Sequence, residues 1–285
     1  MKIAGVITWL CVLAIAANAA IASSNDASPS SIQAADHTTH EKSLQEILQR
    51  NLQAVRVERL HSGPENTDKI LRINEAGHSL VARYRASLNG FVRIDVFEEN
   101  NRVFSEGKDA MGVWEWPAGK DSPENVSNEG AGALEHGIEF NLYPLAELPR
   151  RGHQIELVGN ESFAGKQYFV LKITLSDGFV TYRYVNAETW LVDFSRDFRA
   201  FHPGIDSTKK DIETRYDQWN QADGIVFASR SRNVDLETGD VIATTLVLES
   251  KYDCPSEELD LPRSYVPSGA PQLTDQTNTL LTDRP

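Results

Sequence analysis

Hydrophobic and polar positions alternate along most of this chain, and a stretch near the start departs from that rule. Leu44, Ile47, Leu48, Leu52 and Val55 recur at helical spacing, with Gln45, Glu46, Gln49, Arg50 and Gln53 around the other side. The spacing predicts an amphipathic helix whose apolar stripe must pack on something large. Ser62-Gly63-Pro64 ends this region. A weaker helical pattern over residues 131–148 is shortened or broken by Gly137 and Pro144. Elsewhere the period is two. Val92, Ile94 and Val96 mark a strand, Met111–Trp116 another that Pro117 ends, and His153–Val158 a third before the turn-like Gly159-Asn160. Further strands are expected at Trp190–Phe194, at 209–219 with Ile212, Thr214 and Tyr216 on one face, at Ile225–Val234 and at Val241–Ser250. Short turns such as Ala222-Asp223-Gly224 and Glu237–Asp240 join them, which implies an antiparallel meander.

The clearest local signal is residues 167–194. Asp177-Gly178 suits a two-residue hairpin, which needs positive φ at both positions. Closing the hairpin there sets Leu175 against Val180, Ile173 against Tyr182 and Leu171 against Tyr184. Phe169, Leu171, Ile173, Leu175, Val180, Tyr182 and Tyr184 then form one apolar face, and Lys172, Thr174, Thr181 and Arg183 the polar one. Trp114 and Trp116 share a strand face, and Trp190 aligns with Val192 and Phe194. Two readings of these aromatics stand open: core packing, or the lining of a cavity left unfilled by the sheet. Sheet curvature and helix placement decide between them.

The formal charge of −13 argues against nucleic acid and against adsorption to anionic lipid, because no long Lys/Arg run is present. Lys2, the apolar run Ile3–Ala17 and the small-x-small triplet Ala17-Asn18-Ala19 read as an export signal cleaved near Ala19. The organisation expected is a signal peptide at 1–19, a flexible leader at 20–40, one domain at 41–252, and an extended or disordered tail at 253–285. Residues 117–132 are polar and rich in Gly and Pro, as a mobile loop would be. Signal cleavage leaves Cys254 alone, which excludes an intramolecular disulfide and suits a small buried or half-buried residue.

Candidate chemistry is sparse. His37, His40, His61, His78, His136, His153 and His202 are scattered, with no metal-ligand spacing. There is no nucleophile elbow, phosphate loop or dinucleotide fingerprint, so no catalytic residue, metal or cofactor is assigned. Glu98-Glu99 and Glu257-Glu258 read as solvated charges. Asn125-Val126-Ser127 and Asn160-Glu161-Ser162 match the glycosylation pattern, which is common by chance and means nothing if the source is bacterial.

The order of these elements is informative. An amphipathic helix precedes the Trp strand Gly112–Trp116, then Gly152–Gly159, then Tyr168–Gly178, then Tyr184–Val192, then Asp223–Phe227. This order resembles the outer-membrane lipoprotein-sorting protein-like (LolA-like) family of bacterial periplasmic proteins over roughly residues 41–252. The resemblance implies a mainly β fold with helices: a curved antiparallel half-barrel wrapped around the N-terminal helix and short helices, with an apolar cavity between them. It also implies a monomeric, non-enzymatic carrier of a lipidic or lipoprotein ligand, or alternatively a module that docks or senses an envelope protein. An enzyme is the third possibility, and it needs a clustered pair of perturbed acids in a cleft. Typical carriers hold their helical lid with an arginine, for which Arg83, Arg85 and Arg93 are possible positions. The expected apolar lining is Phe169, Leu171, Ile173, Tyr182 and Tyr184, with Trp114 and Trp116.

Overall fold

The computed structural model describes residues 42–55, 64–126, 128–202, 206–255 and 261–272. The export signal, the leader with its two histidines, and His61 lie outside them. The expected helix α1 forms at Leu44–Val55. Six strands follow: β1 (Asn66–Glu75), β2 (His78–Ser87), β3 (Val92–Glu98), β4 (Asn101–Asp109), β5 (Gly112–Pro117) and the short β6 (Glu124–Asn125). A helical link then carries the chain through α2 (Asn128–Leu142) and a 3₁₀ helix (Leu145–Arg151). Seven more strands complete the fold: β7 (Gln154–Phe163), β8 (Lys166–Thr174), β9 (Val180–Asn186), β10 (Val192–His202), β11 (Asp206–Ala222), β12 (Ile225–Asp235) and β13 (Val241–Tyr252).

All of them join one curved antiparallel sheet of 13 strands, ordered β6-β5-β4-β3-β2-β1-β13-β12-β11-β10-β9-β8-β7. Each half is a meander, and the two meet where β1 pairs with β13. The outer strands β6 and β7 are successive along the chain, so the link between them must cross from one edge of the sheet to the other. That crossing lays α2 and the 3₁₀ helix over one face, and α1 joins them. The second helical pattern breaks at Pro144 as expected, because Pro cannot supply the amide that a continuing helix needs. Part of the polar 117–132 segment is ordered instead as β6 and the first turn of α2.

One expectation about register is corrected. Thr174 pairs with Val180, Ile173 with Thr181 and Leu171 with Arg183. The loop is therefore Ser176-Asp177-Gly178, closed by Leu175 and Phe179, and only Gly178 among its residues has positive φ, at 91°. A three-residue turn ending in a left-handed Gly competes with the two-residue form, and here it wins. A one-residue slip exchanges faces. Tyr182 and Tyr184 move to the convex side, where Tyr184 stacks on Phe194 with ring centroids 4.1 Å apart and meets Tyr168 edge-on. Arg183 and Thr181 move to the concave side with Phe169, Leu171 and Ile173. A second correction concerns Gly159, which sits at a bulge inside β7; the chain reverses later, at Ala164-Gly165. A bulge between Val192 and Phe194 likewise sends those two residues to opposite faces.

The concave face holds two apolar clusters. Leu71, Ile73, Leu80, Ile94 and Val96 pack beneath Leu134, Ile138 and Leu142 of α2. Phe169, Leu171, Ile173 and Val185 pack beneath Ile47 of α1 and Leu145 and Leu148 of the 3₁₀ helix. α2 is tied to the hairpin turn by His136, which bonds Asp177 at 2.6 Å and stacks on Phe179 at 4.2 Å. α1 is tied by Asn51, whose side-chain amide donates to the Trp190 carbonyl at 2.8 Å. The second half of α1, the link and the strands beneath them therefore enclose a shared space.

Candidate functional site: the concave cavity

Between the two apolar clusters the sheet changes character. Its concave face on β9 to β13 carries Thr181, Arg183, Ser195, Asp197, Thr214, Tyr216, Ser231, Asn233 and Thr245, all buried. They follow from the registers: Arg183 pairs with Ser195, Ser195 with Thr214, Thr214 with Asn233, and Tyr216 with Ser231. The strip is cross-bonded. The Thr214 hydroxyl donates to Asn233 Oδ1 at 2.8 Å, and Ser195 and Tyr216 share a hydroxyl contact of 3.1 Å. Arg199 donates to Asp197 at 3.1 Å. Asp197 is fully buried, which pushes its carboxyl up to about 6 despite Arg199 and Arg183 nearby.

Over part of this strip the helical link leaves a cavity of about 200 Å³. Phe140, Leu142 and Leu145 form its roof, and Val192, Trp219, Phe227 and Val247 belong to its floor and walls. Two cations join that lining, Arg183 and Lys69, and no Asp or Glu does. The Arg183 guanidinium lies 4.3 Å from the Phe140 ring centroid and donates from Nη1 to the Tyr216 hydroxyl at 3.2 Å. Among the described residues, its Nε and Nη2 are buried without a hydrogen-bond partner. Lys69 is 8% exposed and lies between the rings of Phe227 and Tyr252, at 5.8 and 5.7 Å from their centroids.

The expected lining divides. Phe169, Leu171 and Ile173 are on the concave face, packed in the cluster beside the cavity rather than on its wall. Tyr182 and Tyr184 are convex, as the register requires. Trp114 and Trp116 are also convex and buried, paired across β4 with Gly107 and Ser105. The sequence reading missed Arg183 by one step of register. It missed Lys69 because its β1 neighbours Asp68 and Arg72 hide the alternation.

The three candidate lid arginines point away from the helices. Arg83 pairs with Asp68, while Arg85 and Arg93 converge on Asp95, all on the convex side. There the tail runs over them without regular secondary structure. Arg93 donates to the carbonyls of Pro262 at 2.8 Å and Tyr265 at 2.6 Å, and lies between the rings of Trp114 and Tyr265. Arg263 clasps Asp109 through both carboxylate oxygens. Cys254 is half-buried beside β1, its main chain bracketed by the Asn66 side chain.

The acids with displaced titration do not converge. Burial, with Glu124 nearby, raises Glu115 on β5 to about 7, but β5 and β10 lie far apart in the sheet order. No group of 3 or more potential metal ligands gathers among the described residues. No helix among them is long and apolar enough to cross a membrane.

Neither a family model nor a curated protein sequence matches the chain. Solved structures do. A LolA superfamily protein from Nitrosomonas europaea superposes with a TM-score of 0.52 at 16% identity, covering 78% of this chain and 99% of that one. A provisionally named outer membrane lipoprotein-sorting protein domain from Vibrio parahaemolyticus gives 0.50 at 11% identity, covering 75% and 95%. A DUF1329 family protein from Desulfovibrio piger gives 0.46 at 15%, covering 72% and 92%. At these identities the likeness is one of architecture: the curved 13-stranded sheet with helices across its hollow is a LolA-like fold.

Proposed function

We propose that the protein is an exported periplasmic binder and carrier of a lipidic ligand, whose apolar chain enters the cavity beneath the helical link. The observation that carries this reading is the cavity itself. Interiors are ordinarily filled to crystal density, yet here an apolar and aromatic space of about 200 Å³ stays open between two packed clusters. Clefts for drug-sized ligands measure about 300–1,000 Å³, so this one suits a single chain. Each methylene taken from water contributes roughly 0.8 kcal/mol, enough for firm yet reversible holding. Binding of this kind needs no nucleophile or cofactor. Lys2, Ile3–Ala17 and Ala17-Asn18-Ala19 support export. The test is native mass spectrometry of the protein purified from its own periplasm, with organic extraction of what it carries. Narrowing the cavity with Val192→Trp is expected to weaken uptake of a fluorescent fatty-acid probe. A protein that carries nothing and ignores the probe refutes the carrier.

A second reading, an envelope protein-interaction module, is favoured by β7. This outer strand is exposed along most of its 10 residues, with Val158 57% and Phe163 43% exposed. An open edge of this length can pair with a partner's strand. Val158→Lys blocks such pairing and is expected to abolish any envelope partner's retention in a pull-down.

A further inference from the structure

We infer that the cavity selects an anionic amphiphile, a single apolar chain ending in a carboxylate or phosphate, with Arg183 and Lys69 binding its head. This rests on the carrier reading and specifies its ligand. The chain carries a formal charge of −13, yet this lining contains two cations and no acid. Buried charges in folded proteins are ordinarily paired. Asp197 in the strip feels the charge of Arg183, but its printed bond is to Arg199 and it does not line the cavity. Arg183 is 4% exposed and keeps two buried nitrogens without a hydrogen-bond partner among the described residues. Among the described residues, Lys69 lies against the Phe227 and Tyr252 rings with no salt bridge. A guanidinium offers a planar fork of donors that matches carboxylate and phosphate oxygens, and an ammonium adds a second positive charge. Phe140, Trp219 and Phe227 supply the apolar surroundings that a chain requires. A head held this way would sit deep against the sheet.

The probes are dodecanoate, dodecyl phosphate, dodecanol and inorganic phosphate, titrated into the delipidated full chain by calorimetry. The expected result is that both anionic amphiphiles bind at least tenfold more tightly than dodecanol. Loss of a charge-assisted contact makes Arg183→Met weaken dodecanoate by about 10- to 100-fold, with dodecanol unchanged. Lys69→Met repeats the loss should Arg183→Met fail to fold, and circular dichroism monitors folding. Dodecanol binding as tightly as dodecanoate, or a preference that survives both substitutions, overturns the inference and leaves the carrier standing. Inorganic phosphate binding as tightly as dodecyl phosphate overturns it in favour of an ion site. Failure of every amphiphile overturns the carrier reading itself.

Discussion

Replacing Asp95 by Ala tests how the convex face is held together. Asp95 is 1% exposed and accepts from Arg93 Nε at 2.9 and 3.1 Å, from Arg93 Nη2 at 2.9 Å, from Arg85 Nη2 at 2.5 Å and from the Ser105 hydroxyl at 2.6 Å. Arg93 and Arg85 are 0% and 3% exposed, so truncation leaves two cations facing each other out of water. Breaking a buried ion pair in this way costs about 3–5 kcal/mol. The carbonyls of Pro262 and Tyr265 and the two flanking rings still accommodate Arg93, which places the expectation near the lower end, about 3 kcal/mol. At a urea m-value of about 3 kcal/mol/M, the unfolding midpoint falls by about 1 M. Urea titration followed by circular dichroism measures it, with the m-value as a check on two-state behaviour. A midpoint drop under about 0.3 M, which is under 1 kcal/mol, would mean that the arginines do not depend on Asp95 and that the cluster has been misread.

Two further outcomes follow from local geometry. On Gly107→Ala, the added methyl meets the Val92 carbonyl oxygen and approaches Trp114 Cζ2 to 2.7 Å. Backbone cannot retreat as a side chain can, so the loss belongs at the upper end of the roughly 1–3 kcal/mol of overpacking, and an unchanged melting temperature would refute the contact. Asp197, fully buried with its carboxyl at about 6 against 3.8 in the unfolded chain, holds its proton in the folded state while the unfolded chain releases it. Its contribution to stability therefore falls as pH rises from about 4 to 6 and is flat above. Relative to wild type, Asp197→Asn is expected to gain roughly 2 kcal/mol between pH 4 and pH 7, and parallel stability curves would refute the assignment.

The second half of the chain was readable because its alternation is clean. Ile212, Thr214 and Tyr216 share a face as their spacing predicts, and α1 has the bounds its stripe indicates. β1 and β2 were not legible, because a sheet whose convex face buries Asp68, Arg85 and Arg93 does not read as hydrophobic-in, polar-out. Asp68 is completed by Arg83, and Arg85 and Arg93 by Asp95, and the tail carbonyls that finish the Arg93 site are too distant along the chain to leave a local trace. The site was lost to a single turn. Asp-Gly is compatible with loops of two or three residues, and the choice decides whether Tyr182 or Arg183 looks inward. The polar strip on β10 to β12 gave no signal either, since buried Ser, Thr and Asn resemble solvent-facing residues until the neighbouring strands are in place.

The seam between β1 and β13 also governs how this molecule comes into being. Thr67 must find Tyr252, and Ile73 must find Thr245. Neither meander can complete its sheet without the other, so the central pairing waits for almost the whole chain. Pairings this remote along the sequence belong to the slow class, with folding times of roughly milliseconds to seconds. Until then β1 and β13 each present an open edge, the state most exposed to mispairing. The same seam sets the end of β13 beside the start of β1, since Asp253 donates its amide to the Asn66 carbonyl. A short link drawn directly across this point would turn the slowest contact into a local one.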